Sequence, residues 1–337
     1  MRVVHLCPSA SFGGAEAVAE TLHAMGERAG WTSSLVLPIS RDVPSSMIRW
    51  RAWALSLRVR ADVVHAHLPW PDRLGAVLVA AKGLPMVVTF HLLPDGEWPR
   101  DRVTALPSRW MLSLSAQRDR TRWVALSQRD RGVLAGALGG GVRVVRNAPP
   151  ESIEVTPLGW PDGAVRLASV GRLHAQKGFD RMLRALAHPS VRDLRWAWTV
   201  LGDGPERGAL ESLRDSLGLR DRVRFVGAMP AAAVMRGAEL VLCPSRFEGM
   251  PLVPLEASEA RVAVLASPID AHQELFVDAP EALLPDDESS WPAALAALID
   301  SPAARESLRA LTSRALGDDP RGATWRAYEA LYREVTR

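Results

Sequence analysis

The chain contains the stretch Ser245-Arg246-Phe247-Glu248-Gly249-Met250-Pro251-Leu252-Val253-Pro254-Leu255-Glu256, which follows an apolar run over residues 238–243 and a single proline. The apolar run predicts a buried strand, and the pattern after the loop predicts a helix with Pro251 at its first position. Proline suits that position because its missing N–H would have no partner there in any case. A strand, a loop and a helix in this order are the building block of a parallel α/β sheet.

Two carboxylates flank the predicted start of this helix. Gly249 lets the backbone approach a ligand closely, and the amides that open the helix form an anion site. Glu248 lies on the loop, and Glu256 lies about 7–8 Å along the helix axis from Pro251 at 1.5 Å per residue. A diphosphate at the helix start would have one hydroxyl-bearing ring beyond Glu248 and another beside Glu256. The spacing suits a nucleotide diphosphate sugar, although a surface loop with two solvated acids would show the same pattern.

The Glu-x7-Glu segment resembles the donor motif of retaining glycosyltransferases of the GT-B fold, specifically of glycosyltransferase family 4. The resemblance extends over nearly the whole chain. It implies that Glu248 contacts hydroxyls of the donor sugar and that Glu256 holds the ribose. The same resemblance implies donor contacts for the intervening residues Gly249, Met250, Pro251 and Leu252.

A second element, Gly171-Arg172-Leu173-His174-Ala175-Gln176-Lys177-Gly178, follows a predicted strand over 166–170 and precedes a predicted helix over 180–187. It resembles the Gly-Arg…Lys-Gly element of the family, which implies that Arg172 and Lys177 grip the donor diphosphate beside Gly171. A guanidinium fork and an ammonium would also stabilise the charge that grows on the leaving nucleotide diphosphate. Only two of the 41 basic residues are lysine, which favours a chemical requirement at Lys177.

Two glycine-containing turns resemble further donor-side elements of the family. Gly202-Asp203-Gly204-Pro205 follows a predicted strand over 196–201 and resembles a turn beside the nucleotide. Phe225-Val226-Gly227 resembles the element whose backbone borders the base, which assigns a donor contact to Val226. A dinucleotide-binding fingerprint is excluded by the spacing and by the absence of an acidic residue after the next strand. A purely structural turn is the alternative for both elements.

The N-terminal half carries the residues that the resemblance assigns to the acceptor side. Gly13 and Gly14, between the first strand and first helix, resemble a Gly-Gly loop that faces the donor phosphates and the acceptor. His67 and His91 each end a predicted strand. The resemblance implies that His91 approaches the donor sugar, and it gives His67 an acceptor-side position for which a structural role is the alternative. No cysteine or carboxylate cluster accompanies them at ligand spacing, so we predict no metal site and no metal cofactor.

Alternating strands and helices predict the GT-B architecture, which is two Rossmann-like doubly wound parallel-sheet domains facing a cleft. We predict an acceptor domain over 1–150, a linker over 151–163 and a donor domain over 164–318. Residues 319–337 are predicted to form a helix that returns to the N-terminal domain. The predicted strands cover 2–7, 34–38, 63–66, 86–90, 123–126, 142–145, 165–170, 196–201, 223–226, 240–243 and 262–266.

Composition narrows the functional class. A hydrophobic content of 47% and a charged content of 23% are typical of a soluble globular protein, and a net charge of +3 is too small to indicate nucleic-acid binding. Apolar runs are too short to span a membrane, and Cys7 and Cys243 suggest reduced thiols in a cytoplasmic protein. The segments 47–60 and 110–123, rich in Trp and Arg, could lie on an anionic membrane surface or pack as ordinary helices.

The sequence as a whole predicts a retaining hexosyltransferase that uses a UDP- or GDP-sugar and an acceptor hydroxyl of a glycan, glycolipid or small metabolite. Two segments depart from the family pattern. Ala260-Arg261-Val262-Ala263 stands where a glycine and a proline are usual, and Asp270-Ala271-His272-Gln273-Glu274 lacks the glycines of a Gly-Gly-x-x-Glu pattern. These departures keep open the alternative of a non-catalytic nucleotide-sugar-binding subunit. A GT-B epimerase or phosphorylase is a second alternative, which the Gly-Arg…Lys-Gly and Glu-x7-Glu motifs fit less well than they fit a transferase.

Overall fold

A computed structural model describes residues 1–7, 14–36, 60–68, 83–91, 120–138, 141–151 and 153–337. It divides into unit 1, formed by Met1–Pro150 and Asp319–Arg337, and unit 2, formed by Glu151–Asp318. Elements are numbered in their order among these residues. The predicted segments 47–60 and 110–123 lie mostly outside the described residues, and Gly13 lies outside them. A short helix that the sequence pattern predicts over 74–82 also lies outside them.

Unit 1 contains a six-stranded sheet in the order β2-β1-β3-β4-β5-β6, in which every neighbouring pair is parallel. Its interior strands are largely buried, as expected for a parallel sheet, and His5, His65, His67 and Thr89 are polar exceptions among their apolar side chains. The strands are β1 Arg2–Leu6, β2 Thr32–Val36, β3 Val63–Leu68, β4 Met86–Phe90, β5 Thr121–Ala125 and β6 Val142–Val144.

Three helices of unit 1 are described: α1 Gly14–Arg28, α2 Gln128–Leu138 and the C-terminal helix Pro320–Thr336. The C-terminal helix packs on β3, β4 and β5 of this unit. It buries two tyrosines, and the hydroxyl of Tyr332 lies 2.7 Å from Nδ1 of His65. The hydroxyl of Thr324 near its start donates to the carbonyl of Arg146. The last helix of the chain is therefore fixed to the sheet of unit 1.

Unit 2 contains a five-stranded parallel sheet in the order β11-β10-β7-β8-β9. Every residue of Trp196–Leu201, Leu240–Cys243 and Ala263–Ala266 in this sheet is buried. Together with unit 1, this confirms the predicted class of two parallel-sheet α/β domains. The strands are β7 Val165–Val170, β8 Trp196–Leu201, β9 Val223–Phe225, β10 Leu240–Cys243 and β11 Ala263–Ala266.

The helices of unit 2 connect these strands and leave their carboxyl-end loops on one edge of the sheet. They are α3 Phe179–Leu186, α4 Pro189–Arg192, α5 Arg207–Ser216, α6 Ala232–Met235, α7 Val253–Glu259, α8 Asp270–Leu275, α9 Trp291–Asp300 and α10 Pro302–Leu316, so that the C-terminal helix is α11. None of the helices in the described part of the chain is long and apolar enough to cross a bilayer.

Several local predictions differ from the structure. Helix α7 begins at Val253, and Pro254 rather than Pro251 occupies its first turn. Strand β2 lies two residues earlier than predicted because it pairs with β1 from Thr32 onward as an edge strand, where polar residues are tolerated. The predicted linker over 151–163 falls within unit 2, where the amide of Leu158 donates to the carbonyl of Ala233.

Arg261 lies in the first of the two segments that depart from the family pattern. It has a φ of 56°, in the left-handed region that favours glycine. The turn between α7 and β11 thus keeps a conformation typical of glycine although the glycine is absent.

Candidate functional site

An ion pair lies at the carboxyl edge of the unit 2 sheet. Nζ of Lys177 is 2.5 Å from Oε1 of Glu248, and the two side chains are 21% and 10% exposed. The hydroxyl of Ser245 donates to the same carboxylate oxygen over 2.7 Å. Lys177 ends a 3₁₀ turn over Ala175–Lys177 after β7, and Glu248 follows β10. The structure therefore brings together one residue from each of the two predicted donor motifs.

Backbone and side-chain hydrogen bonds join the two loops that carry this pair. The amide of Arg246 donates to the carbonyl of Gln176 over 2.7 Å, and Nε2 of Gln176 donates to the carbonyl of Phe247 over 3.0 Å. Gly178 is required at their contact, because a Cβ there would lie 2.0 Å from the carbonyl oxygen of Pro244. These hydrogen bonds and this close contact fix the two loops to each other.

A second ion pair reinforces the same junction. The guanidinium of Arg246 makes two hydrogen bonds to the carboxylate of Asp180, over 2.7 and 2.8 Å. The hydrogen bond from Arg246 is the main cause that lowers the pKa of Asp180 to about 2. Because Asp180 lies at the start of α3, the pair fixes the loop after β10 to the helix after β7.

The basic residues of the first motif differ in their surroundings. The side chain of Lys177 runs across Gly171, where a Cβ would lie 3.2 Å from Cε of the lysine. Arg172 is exposed and makes no ion pair with any residue in the described ranges. One cation is therefore held in place by Glu248, and the other is available to an anion from solvent.

The Gly202–Gly204 turn has a structural reason for both glycines. A Cβ at Gly202 would lie 1.9 Å from the carbonyl oxygen of Gly171, and one at Gly204 would lie 2.4 Å from that of Leu173. The amide of Leu173 donates to the carbonyl of Asp203. The turn thus supports the loop of Arg172 from behind. Val226, assigned to the base by resemblance, is half-buried beside it.

Glu256 lies in the first turn of α7 and is half-buried. Burial raises the pKa of its carboxyl to about 7, the negative charge of Glu259 raises it further, and Lys177 opposes the shift. The residues between the two glutamates differ in exposure, since Gly249, Met250 and Pro251 are buried and Leu252 is half-buried. Contact with a ligand through Met250 or Pro251 would therefore use backbone more than side chain.

The raised pKa of Glu256 implies that the free energy of unfolding depends on pH. A carboxyl whose pKa is raised in the folded state costs no stability below its unfolded pKa, and costs the full penalty above the folded one. We expect Glu256→Gln to be as stable as the parent protein near pH 4 and more stable at pH 8, by no more than about 3 kcal/mol at 1.36 kcal/mol per pKa unit.

Chemical denaturation at pH 4, 6 and 8 measures this difference. Glu281→Gln is the matched control, because Glu281 is exposed in the same unit and its substitution makes the same chemical change. A Glu256→Gln variant that gains nothing between pH 4 and pH 8 would contradict the buried, raised carboxyl.

Sequence reasoning missed His272, which lies in the second departing segment. It is completely buried in α8, and Nδ1 donates to the carbonyl of Ser267 over 2.8 Å. Burial lowers the pKa of His272 to about 4. The negative charge of Glu248 raises this pKa, and the positive charge of Lys177 lowers it. The ring is therefore neutral at pH 7, and it belongs to the electrostatic surroundings of the ion pair. Only its place after β11 could have indicated this from sequence.

Unit 1 has its own cluster of polar residues at the carboxyl ends of β3 and β4. His91, directly after β4, is half-buried, and its Nε2 lies 3.0 Å from Nδ1 of His67. His67 is 0% exposed, so the expected acceptor contact of His67 is not possible in this arrangement. Gly14 is exposed at the start of α1.

The structure also brings together histidines that the sequence separates. Ligand nitrogens of His5, His65 and His67 lie within 4.8 Å of one another, and all three rings are buried. Both nitrogens of His65 are already hydrogen-bonded, one to Tyr332 over 2.7 Å and one to Thr89 over 2.8 Å. The expectation of a metal-free protein stays a prediction.

Two family models match the chain. The model described as glycosyl transferases group 1 matches residues 153–315, in unit 2, and the model described as glycosyltransferase family 4 matches residues 3–148, in unit 1. Together they extend over nearly the whole chain.

Individual relatives and a solved structure agree with these matches. The 2-deoxystreptamine glucosyltransferase of Streptomyces kanamyceticus is 31% identical in an alignment of 252 residues that covers 64% of this chain and 64% of that protein. The lipopolysaccharide core biosynthesis glycosyltransferase LpsD of Rhizobium meliloti is 34% identical over 174 residues, 51% of this chain and 49% of that protein. The chain thus spans 64% and 49% of the lengths of these relatives. The structure of Anabaena HepE in complex with UDP and glucose matches with a TM-score of 0.74 at 18% identity, covering 98% of this chain and 99% of that one.

Proposed function

Because this chain belongs to glycosyltransferase family 4 and has the GT-B fold, we propose that it transfers a hexose-type sugar from a UDP- or GDP-sugar to an acceptor hydroxyl. The observation that carries the proposal is the Lys177–Glu248 pair, which joins the two donor motifs at one edge of the unit 2 sheet. A relative is named as a glucosyltransferase and a neighbouring structure holds UDP and glucose, which supports this donor class.

In the proposed donor complex, Arg172 and Lys177 bind the diphosphate and Glu248 binds the sugar. Lys177 exchanges part of its contact with Glu248 for a phosphate oxygen, and the carboxylate that it releases accepts hydrogen bonds from two sugar hydroxyls. Ser245 keeps Glu248 oriented during this exchange, since its hydroxyl bonds the same oxygen. The ion pair is therefore a preformed holder for both halves of the donor.

Cleavage of the bond between sugar and phosphate builds negative charge on the departing nucleotide diphosphate. Two cations next to that charge lower the barrier because their interaction strengthens as the bond breaks. We propose that these cations replace a divalent metal, so that transfer proceeds without one. We further propose that the sugar keeps its anomeric configuration, in line with the Glu-x7-Glu resemblance.

Glu256 is proposed to hold the ribose. Its carboxyl is half-buried with a raised pKa, and it lies in the first turn of α7 on the chain that follows Glu248. Paired hydrogen bonds from the two ribose hydroxyls would compensate the burial of an ionised carboxylate. We propose that the acceptor is a hydroxyl group of a glycan, a glycolipid or a small metabolite. His91 and Gly14 are the residues of unit 1 that we propose to contact it.

The Glu256 assignment predicts a specific kinetic result. Contacts to ribose are shared by the ground state and the transition state, so losing them raises KM and leaves kcat nearly unchanged. We expect Glu256→Ala to raise the KM for the donor by on the order of 10–100-fold, the loss of about 1.5–3 kcal/mol for hydrogen bonds to a charged group. Steady-state kinetics with varied donor measures both constants, and an unchanged KM would contradict the assignment.

A second candidate function is binding of a nucleotide sugar without turnover, favoured by the two segments that depart from the family pattern. One experiment separates the candidates. A thermal-shift screen of nucleotide sugars first identifies the donor, because a ligand at 100 times its Kd stabilises by ~2.7 kcal/mol. Release of the nucleotide diphosphate is then followed with and without EDTA.

Release that persists in EDTA supports the proposed transferase. Stabilisation without any release would support the non-catalytic function, and conversion to another nucleotide sugar would indicate an epimerase. Release abolished by EDTA and restored by Mn²⁺ or Mg²⁺ would contradict the proposed role of Arg172 and Lys177.

A further inference from the structure

Three histidines of unit 1 form a continuous hydrogen-bonded chain that ends at His91. Nδ1 of His5 on β1 lies 3.2 Å from Nε2 of His67 on β3, and Nδ1 of His67 lies 3.0 Å from Nε2 of His91. The rings of His67 and His91 are stacked, with centroids 5.2 Å apart and planes inclined by 28°. His5 and His67 are 1% and 0% exposed, whereas His91 is half-buried. Only the last ring can reach a ligand.

All three rings are neutral at pH 7. Burial lowers the pKa of His5 to about 3 and that of His91 to about 4, and it lowers the pKa of His67 well below the ordinary value. A neutral imidazole carries one N–H and one lone pair, so each ring donates through one nitrogen and accepts through the other. The chain therefore has three protons for two contacts between nitrogen atoms.

The three protons can satisfy both nitrogen–nitrogen contacts in only two arrangements. If His67 carries its proton on Nδ1, it donates to Nε2 of His91 and accepts from Nδ1 of His5, so all three rings carry the proton on Nδ1. If His67 carries it on Nε2, all three rings carry it on Nε2. A mixed arrangement sets N–H against N–H or lone pair against lone pair, and a buried polar atom without a partner costs about 1–3 kcal/mol.

The neighbouring ring, that of His65, is not part of this hydrogen-bonded chain of histidines. The two nitrogens of His65 bond Tyr332 and Thr89, and the hydroxyl of Thr89 lies 3.0 Å from that of Tyr328. A metal ion on His5, His65 and His67 would have to break one of these bonds. The hydrogen-bonded chain is therefore the arrangement that the geometry favours.

We propose that His5 and His67 are positioning residues whose tautomers are coupled to that of His91, so that the three rings adopt one of the two arrangements together and that arrangement determines whether His91 offers a donor or an acceptor to the substrate. The hydrogen bond that one ring nitrogen of a histidine makes commonly determines whether the other nitrogen is protonated. The coupling of the three tautomers stands on the unit 1 geometry alone, and only its effect on rate rests on the proposed function.

The test is nitrogen NMR on the full chain with ¹⁵N-labelled histidine, which distinguishes protonated from unprotonated ring nitrogens. We expect the same nitrogen to be protonated in His5, His67 and His91. In His67→Gln, whose amide can pair either way, we expect His91 to populate both tautomers. His65→Gln is the matched control, equally buried on the same strand, and should leave the tautomer of His91 unchanged even if it lowers the Tm.

The kinetic arm measures donor turnover below the Tm of each variant. We expect His67→Gln to lower kcat by about 10–100-fold, the effect that losing an orienting partner has on metal-ligating histidines, with KM for the donor unchanged. Different tautomers among the three rings, or an unchanged His91 in His67→Gln, would overturn the proposal. Signals of His5, His65 and His67 that shift together with one equivalent of Zn²⁺ would overturn it in favour of a metal site. Coupled tautomers in a protein without turnover would retain the proposal and reject the transferase function.

Discussion

Lys177→Ala and Arg172→Ala are each expected to lower turnover at saturating donor by on the order of 10²–10³ while the fold is retained. Both cations are proposed to act on charge that develops only as the donor breaks, so their loss affects kcat more than binding. The two variants should differ in stability. Lys177→Ala leaves Glu248, at 10% exposure, without its cation, whereas Arg172 is exposed.

Turnover and Tm are measured together to separate these effects. Arg220→Ala is the matched control, since Arg220 is 76% exposed in the same unit and its ion-pair partner among the residues that the structure describes is Asp215, at 38% exposure. It removes an equal charge and should leave kcat unchanged. Near-parental kcat in both Lys177→Ala and Arg172→Ala would mean that the Gly171–Gly178 segment does not serve the leaving group.

Gly202→Ala is expected to cause the largest loss of stability of any single methyl addition considered for this chain, about 3 kcal/mol or more. A Cβ at Gly202 would lie 1.9 Å from the carbonyl oxygen of Gly171, and the φ of 144° is itself unfavourable for alanine. Both obstacles are backbone features, which cannot move without displacing the loop of Arg172. We therefore expect donor binding to weaken along with stability.

The chain supplies a matched control six residues later. A Cβ at Gly208, in the first turn of α5, would meet nothing within 4 Å. Gly208→Ala should stabilise the protein by about 0.4–1 kcal/mol, because alanine restricts the unfolded chain. Urea denaturation of both variants decides the matter, and equal stability of Gly202→Ala and the parent would refute the packing account of the turn.

The strands of the fold could be predicted because buried parallel strands are short apolar runs between helices. The run Trp196–Leu201 was located to the residue, since all its side chains are buried. The edge strand Thr32–Val36 was displaced, because only part of an edge strand is apolar. The start of α7 was misplaced because Pro251 and Pro254 both suit the first turn of a helix, and the pattern does not choose between them.

The assembled site could be predicted only by resemblance, because it depends on strand order. Lys177 and Glu248 are 71 residues apart and meet because β10 pairs with β7, an order that local periodicity does not reveal. The histidine chain has the same origin. His5 and His67 lie together because β1 pairs with β3, and the local sequence around His67 does not reveal this partner.

The proposed transfer with retention is tested most directly by NMR of the first sugar released from an α-linked nucleotide sugar, recorded before the free sugar mutarotates. The account predicts that water, in the absence of acceptor, yields the α-anomer first, and that Glu248→Gln lowers this release because one sugar-binding carboxylate oxygen is lost. An initial β-anomer would contradict the account, since the Glu248–Glu256 segment would then serve an inverting reaction.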